Sequence, residues 1–132
     1  MSEPTDRGSA GVPKLRALRG ATTVAANDPE AIVAATQELL ATLLARNDVA
    51  PEDLVSLVFT ATPDLSAEFP AAAARRIGIS DVPLLCAQEI DVPGAIPRCV
   101  RVLVHLYTSR DLTSLRHVYL GDARQLRTDL SG

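Results

Sequence analysis

The run Cys99–Thr108, CVRVLVHLYT, sets the terms for the rest of the chain. Val100, Val102, Val104 and Leu106 fall at alternate positions, which is the period of a β-strand, whose successive side chains point to opposite faces. Cys99, Arg101, Leu103, His105 and Tyr107 take the other face. That face too is largely apolar, yet Arg101 stands within it. Taking a guanidinium out of water without a partner is costly, so Arg101 must meet a carboxylate, a ligand or a subunit boundary.

The flanking segments supply elements to pack with this strand. Asp28 is a helix cap, Pro29 suits the first turn, and Ile32, Val33, Thr36, Leu39, Leu40, Leu43 and Leu44 recur at helical spacing. Asn47, Asp48 and Pro51 end this helix after about Arg46, and its single apolar stripe calls for a sheet beneath it. Before it, residues 15–18 (LRAL) read as a short strand that turns at Arg19-Gly20. After it, Leu54–Ala61 (LVSLVFTA) is apolar nearly throughout, as a strand covered on both faces is, and Thr62-Pro63-Asp64 turns the chain. Pro70 opens a second helix, alanines carry it, Arg75 and Arg76 sit in its last turn and Gly78 ends it. Residues 82–89 read as a third strand, and 115–120 and 123–126 as a closing pair of short strands around Gly121-Asp122. The order β-α-β-α-β-β-β predicts an α/β (α+β) fold, a mixed β-sheet packed with two main helices. Residues 1–13, polar and rich in Gly, Ser and Pro, read as a flexible tail, and 14–132 as one domain.

Composition narrows the function. A chain of 132 residues, 47% hydrophobic and 22% charged, has the apolar surface for one core. Its aromatic content is 3%, without Trp, which argues against base-stacking platforms, and a net charge of −3 provides no field for nucleic acid. Cys86 and Cys99 are too few for a disulfide scaffold and lack the spacing of a zinc site. Neither a membrane-length apolar run nor a secretion signal is present, so a reduced, cytoplasmic protein is expected. Phosphate loops, HExxH and GxSxG are missing, and no metal or nucleotide cofactor is expected.

What remains is charge set into apolar elements. Besides Arg101, Glu89 closes the LLCAQE strand and Arg19 ends the first predicted strand, and strand ends are rigid mounts for functional side chains. Residue chemistry leaves two readings of Arg101 and Glu89, an internal ion pair or part of an anion site. It likewise leaves Cys86 as a small hydrophobe, Tyr119 as a core ring or a hydroxyl donor, and His105 and His117 as structural strand histidines.

The segments RALRGATTV (16–24), ATPDLSAEFPA (61–71), VPLLCAQEIDVPG (82–94), CVRV (99–102) and RHVYL (116–120), in this order and spacing, resemble the monofunctional bacterial chorismate mutases of the trimeric pseudo-α/β-barrel class. The likeness spans nearly all of 15–130. It implies a homotrimer with active sites at the subunit interfaces, converting chorismate to prephenate without a cofactor. Arg101, Glu89 and Arg19 are the catalytic residues that it implies. Arg19 would grip a substrate carboxylate, and Arg101 the ether oxygen and a carboxylate, while Glu89 and the Cys86 region would receive the ring hydroxyl. By the same resemblance Tyr119 would meet a carboxylate, and Phe69, Ala71 and Leu126 would form walls. Arg75 and Arg127 would add positive charge at the entrance, and the 69–75 segment would come from a neighbouring subunit. Two positions depart from the family pattern: Ala72 stands where a Lys is frequent, and Leu85 where a Thr is frequent. The competing readings are a non-catalytic trimer that binds a carboxylate metabolite and, on fold analogy, a small trimeric deaminase.

Overall fold

Asp28 begins the main helix as its chemistry demands. Its Oδ2 accepts the Ala31 N–H at 2.9 Å, and Pro29 follows at the first helical position. The resulting helix α1 (Pro29–Arg46) buries Ile32, Val33, Thr36, Leu39, Leu40 and Leu43. In the computed structural model, which describes residues 11–126, this stripe lies on one face of a five-stranded sheet. The strands are β1 (Lys14–Thr23), β2 (Leu54–Ala61), β3 (Leu84–Gln88), β4 (Cys99–Thr108) and β5 (Val118–Tyr119), in the order β3-β2-β4-β1-β5. β4 pairs antiparallel with β1 and with β2, while β3 and β5 add to the edges in parallel. Val102, Val104 and Leu106 join Leu18, Leu57, Phe59, Leu39, Leu40 and Leu43 in the core, as the alternation of β4 requires.

Five expectations need correction. β1 does not turn at Arg19-Gly20; it runs to Thr23, because β4 offers it a ladder along its whole length. Gly20 serves packing instead: a Cβ there would lie 2.6 Å from Leu43 Cδ1 and 3.1 Å from Leu39 Cδ1. The second helix, α2 (Ala72–Arg76), has only five residues, so the sheet carries one main helix rather than two. Pro70 and Ala71 lie in the turn before it, and Gly78, at φ +91°, ends it. β3 is trimmed to 84–88 since Pro83 has no N–H to offer; its carbonyl instead accepts Leu57 N–H at 3.0 Å. The closing strand pair reduces to β5, followed by a 3-10 turn over Gly121–Gln125. Gly121 adopts φ +58°, and Thr23 Oγ1 takes the Asp122 N–H at 3.0 Å, which folds the chain onto β1 rather than into a hairpin. Finally, among the described residues β2 is fully covered on one face only: Leu57, Phe59 and Ala61 are buried, whereas Ser56, Val58 and Thr60 are half-buried.

Of the expected tail, residues 11–13 are exposed and outside regular structure, while 1–10 lie outside the described residues. Among the described residues, no helix is long and apolar enough to cross a membrane.

Replacing Gly20 with Ala should cost about 1–3 kcal/mol, because the Cβ collides with Leu43 and crowds Leu39, both fully buried. A thermal melt should show the midpoint lowered by about 3–10 °C, and an unchanged midpoint would show that α1 does not rest on this point of β1.

Candidate active site

The ladder brings together residues that are far apart in sequence. Thr60 pairs with Ala87 on one side and Arg101 on the other, Arg101 with Ala21, and Ala21 with Tyr119. One row thus crosses all five strands on the face away from α1. Ala87 and Ala21 are small, so the larger members of the row stand around open space. Arg19, Ala21, Val58, Thr60, Arg101, Leu103 and Tyr119 line a hollow of about 300 Å³. Leu126 packs on the small buried cluster of Ala21, Cys99, Tyr119 and Ala123, and does not itself line the hollow.

Arg101 finds its carboxylate. Its Nε lies 2.8 Å from Oε2 of Glu89, and Thr60 Oγ1 donates to the same oxygen at 2.5 Å. Glu89 sits just beyond β3, where its N–H bonds to the Ala61 carbonyl at 2.9 Å, and its side chain is 17% exposed against 46% for Arg101. Both readings of this pair are therefore realised in one geometry: it is an ion pair, and its guanidinium still faces the hollow. With Nε engaged, the terminal nitrogens of Arg101 are the donors left for a ligand, and Glu89 keeps Oε1 for a donor from outside. Arg19 is exposed on β1 and lines the same hollow, bringing a second cationic residue to it. Two cations and one carboxylate leave the site net positive, suited to an anion with planar carboxylates.

The other expected residues lie elsewhere. Phe69 and Cys86 line a second hollow of about 350 Å³, with Ala61, Thr62, Leu65 and Ala87. Asn27 holds the loop before Phe69, accepting the N–H groups of Ser66 and Ala67 at 2.9 Å each. Phe69 itself is 66% exposed, whereas Ala71 is buried in the core and Arg75 is exposed in the last turn of α2. None of these four lines the hollow around Arg101. Arg127 lies outside the described residues.

Thr60 escaped the reading of the sequence, although the alternation of LVSLVFTA was a signal, since it sets a hydroxyl on the face opposite Phe59. His117 lies just before β5 rather than within a strand, and its Nδ1 accepts the Arg19 N–H at 3.0 Å. Burial, and then the Arg19 guanidinium, hold its pKa below the usual imidazole value. Burial pushes the Cys99 thiol up to about 11, with nearby Arg101 opposing the shift. A thiol so placed is no nucleophile near neutral pH. In native protein at pH 8, Cys99 should resist alkylation by iodoacetamide and react only after denaturation, as read by peptide mass spectrometry; rapid labelling of native protein would contradict the burial of this thiol.

The description "Chorismate mutase type I" belongs to the family model that matches residues 15–130. Chorismate mutase AroH of Thermus thermophilus is 49% identical over 117 residues, covering 88% of this chain and 96% of that protein. The Bacillus subtilis (strain 168) protein of the same name is 43% identical over 118 residues, with 89% and 93% covered. Among solved structures, a chorismate mutase from Clostridium thermocellum superposes with a TM-score of 0.82 at 45% identity, covering 83% of this chain and 98% of that one. With a matched model over nearly its whole length and relatives this similar, the chain belongs to the type I chorismate mutase family.

Proposed function

We propose that this chain catalyses the Claisen rearrangement of chorismate to prephenate, on the route to phenylalanine and tyrosine, in sites shared between the subunits of a homotrimer. The observation that carries this reading is the hollow in which Arg19, Arg101 and Tyr119 face one another with Glu89 bonded behind Arg101. Family membership supports the same conclusion.

The reaction is unimolecular: the ether C–O bond breaks as a C–C bond forms, and no proton or electron leaves the substrate. Its demands are to fold a flexible dianion into a reactive conformer and to stabilise the oxygen that gains negative charge. Arg19 and Tyr119 hold carboxylates and remove part of the entropic barrier. Arg101, its Nε fixed by Glu89, aims its terminal nitrogens at the ether oxygen, where they bind the transition state more strongly than the ground state. Glu89 Oε1 accepts the ring hydroxyl. The Thr60 hydroxyl and Arg101 Nε both bond to Oε2, so the free oxygen is held in a fixed direction.

The trimer rests on the face of the sheet away from α1. Leu15 is 53% exposed there, Leu85 62%, Leu103 36% and Tyr107 52%, a large apolar area to leave in water. Leu85 continues the row of Val58, Leu103 and Arg19, so its departure from the family's Thr adds apolar surface to this face. Phe69 and Arg75, which stand away from the hollow of their own chain, would complete the hollow of a neighbour.

Purified protein mixed with chorismate should consume it, as followed by ultraviolet absorbance, and yield prephenate; binding without conversion would make the chain a carboxylate-binding protein instead. Arg101→Lys keeps the charge and loses the fork, and should lower kcat by about 10²–10³-fold with a smaller change in KM. Equal turnover would remove Arg101 from the mechanism. Sedimentation should give three times the 14.0 kDa chain mass, and a monomer would overturn the shared site.

A further inference from the structure

β5 is short for the job it does. It pairs with β1 through two positions only, Gly20 with Val118 and Ala21 with Tyr119, yet it delivers Tyr119 to the hollow. Two parallel pairs are a weak attachment, and side chains supplement them. Asn47, buried at the end of α1, bonds Arg116 on both backbone groups: Oδ1 accepts its N–H and Nδ2 donates to its carbonyl, each at 2.8 Å. On the far side of Tyr119, the Leu120 N–H bonds to the Ala21 carbonyl at 2.9 Å. Between these two fixings stands the His117 ring.

We propose that His117 is a positioning residue, whose Nδ1 takes the Arg19 N–H in place of a strand carbonyl and thereby fixes Arg19 and Tyr119 relative to each other. The bond at 3.0 Å extends the β1–β5 ladder by one step, and that step ends on Arg19, a residue that lines the hollow. Tyr119 is two residues on from the ring, so a single side chain governs the spacing of two ligand-binding groups. The geometry requires an unprotonated Nδ1, with any ring proton on Nε2. Burial, reinforced by the positive charge of Arg19, favours that neutral form. The inference deepens the function proposed above and rests on it for its kinetic consequence, though not for its structural one.

His117→Asn, His117→Gln and His117→Leu separate the alternatives. Asn places its Oδ1 close to where Nδ1 stands, Gln carries its acceptor farther out, and Leu has none. With chorismate as substrate, Leu and Gln should lose about tenfold in kcat/KM, chiefly through a raised KM, while Asn stays within about threefold of wild type, the scale of one lost hydrogen bond. Loss in Asn equal to that in Leu, or Leu and Gln at wild-type efficiency, overturns the proposal. Hydrogen exchange of the Arg19 amide gives an activity-independent reading: protection kept in Asn and lost in Gln or Leu supports the bond, and protection unchanged in both Gln and Leu removes it. Should wild type leave chorismate unconverted, the proposed function fails, and the amide exchange alone decides the role of His117. Should Leu fail to fold, Gln against Asn carries both comparisons.

Discussion

β4 is hydrogen-bonded along both edges, and its pairings fix the site. A slip of one residue against either neighbour would send Arg101 to the α1 side and drive Val100 or Val102 out of the core. The apolar stripe Val100, Val102, Val104 and Leu106 therefore guards the register, and the register in turn aligns Thr60, Arg101, Ala21 and Tyr119. Core packing on one face of the sheet thus sets geometry on the other.

The Arg101–Glu89 pair is better understood as a positioning device than as a source of stability. Its arginine is 46% exposed, and ion pairs open to solvent contribute about 0–1 kcal/mol. What the pair does is orient: Oε2 receives both the guanidinium and the Thr60 hydroxyl, so neither charged group is free to swing. Such preorganisation is what a rearrangement without proton transfer needs, since nothing else in the chemistry calls for a base or a nucleophile. The buried thiol of Cys99 beneath it is consistent with that economy.

Local signals recovered the elements that local chemistry decides. The cap at Asp28, the leucine stripe of α1 and the alternation of β4 are each complete within their own segment, and each is found in the structure. Boundaries set by distant partners were not legible. Arg19-Gly20 has the look of a turn, but a ten-residue ladder with β4 keeps β1 extended, and the glycine answers to Leu43 and Leu39 instead. Gly121-Asp122 likewise suggested a hairpin, whereas Thr23, 99 positions away, captures the Asp122 N–H. The charged residues of the site were conspicuous because charge in an apolar strand demands an explanation. Thr60 and His117 were not, since a threonine in a strand and a lone histidine are ordinary until register places them beside Glu89 and Arg19.

The outer strands of the sheet are brief: β3 has five residues, preceded by Pro83, and β5 has two. Exposed strand edges invite accretion of foreign chains, and a truncated or proline-flanked edge offers them too few unpaired amides to extend. Lateral growth of this sheet into a continuous intermolecular ribbon is thereby discouraged at both borders. The proposed trimer would instead use the broad side, where side-chain shape and charge discriminate between partners and backbone complementarity does not.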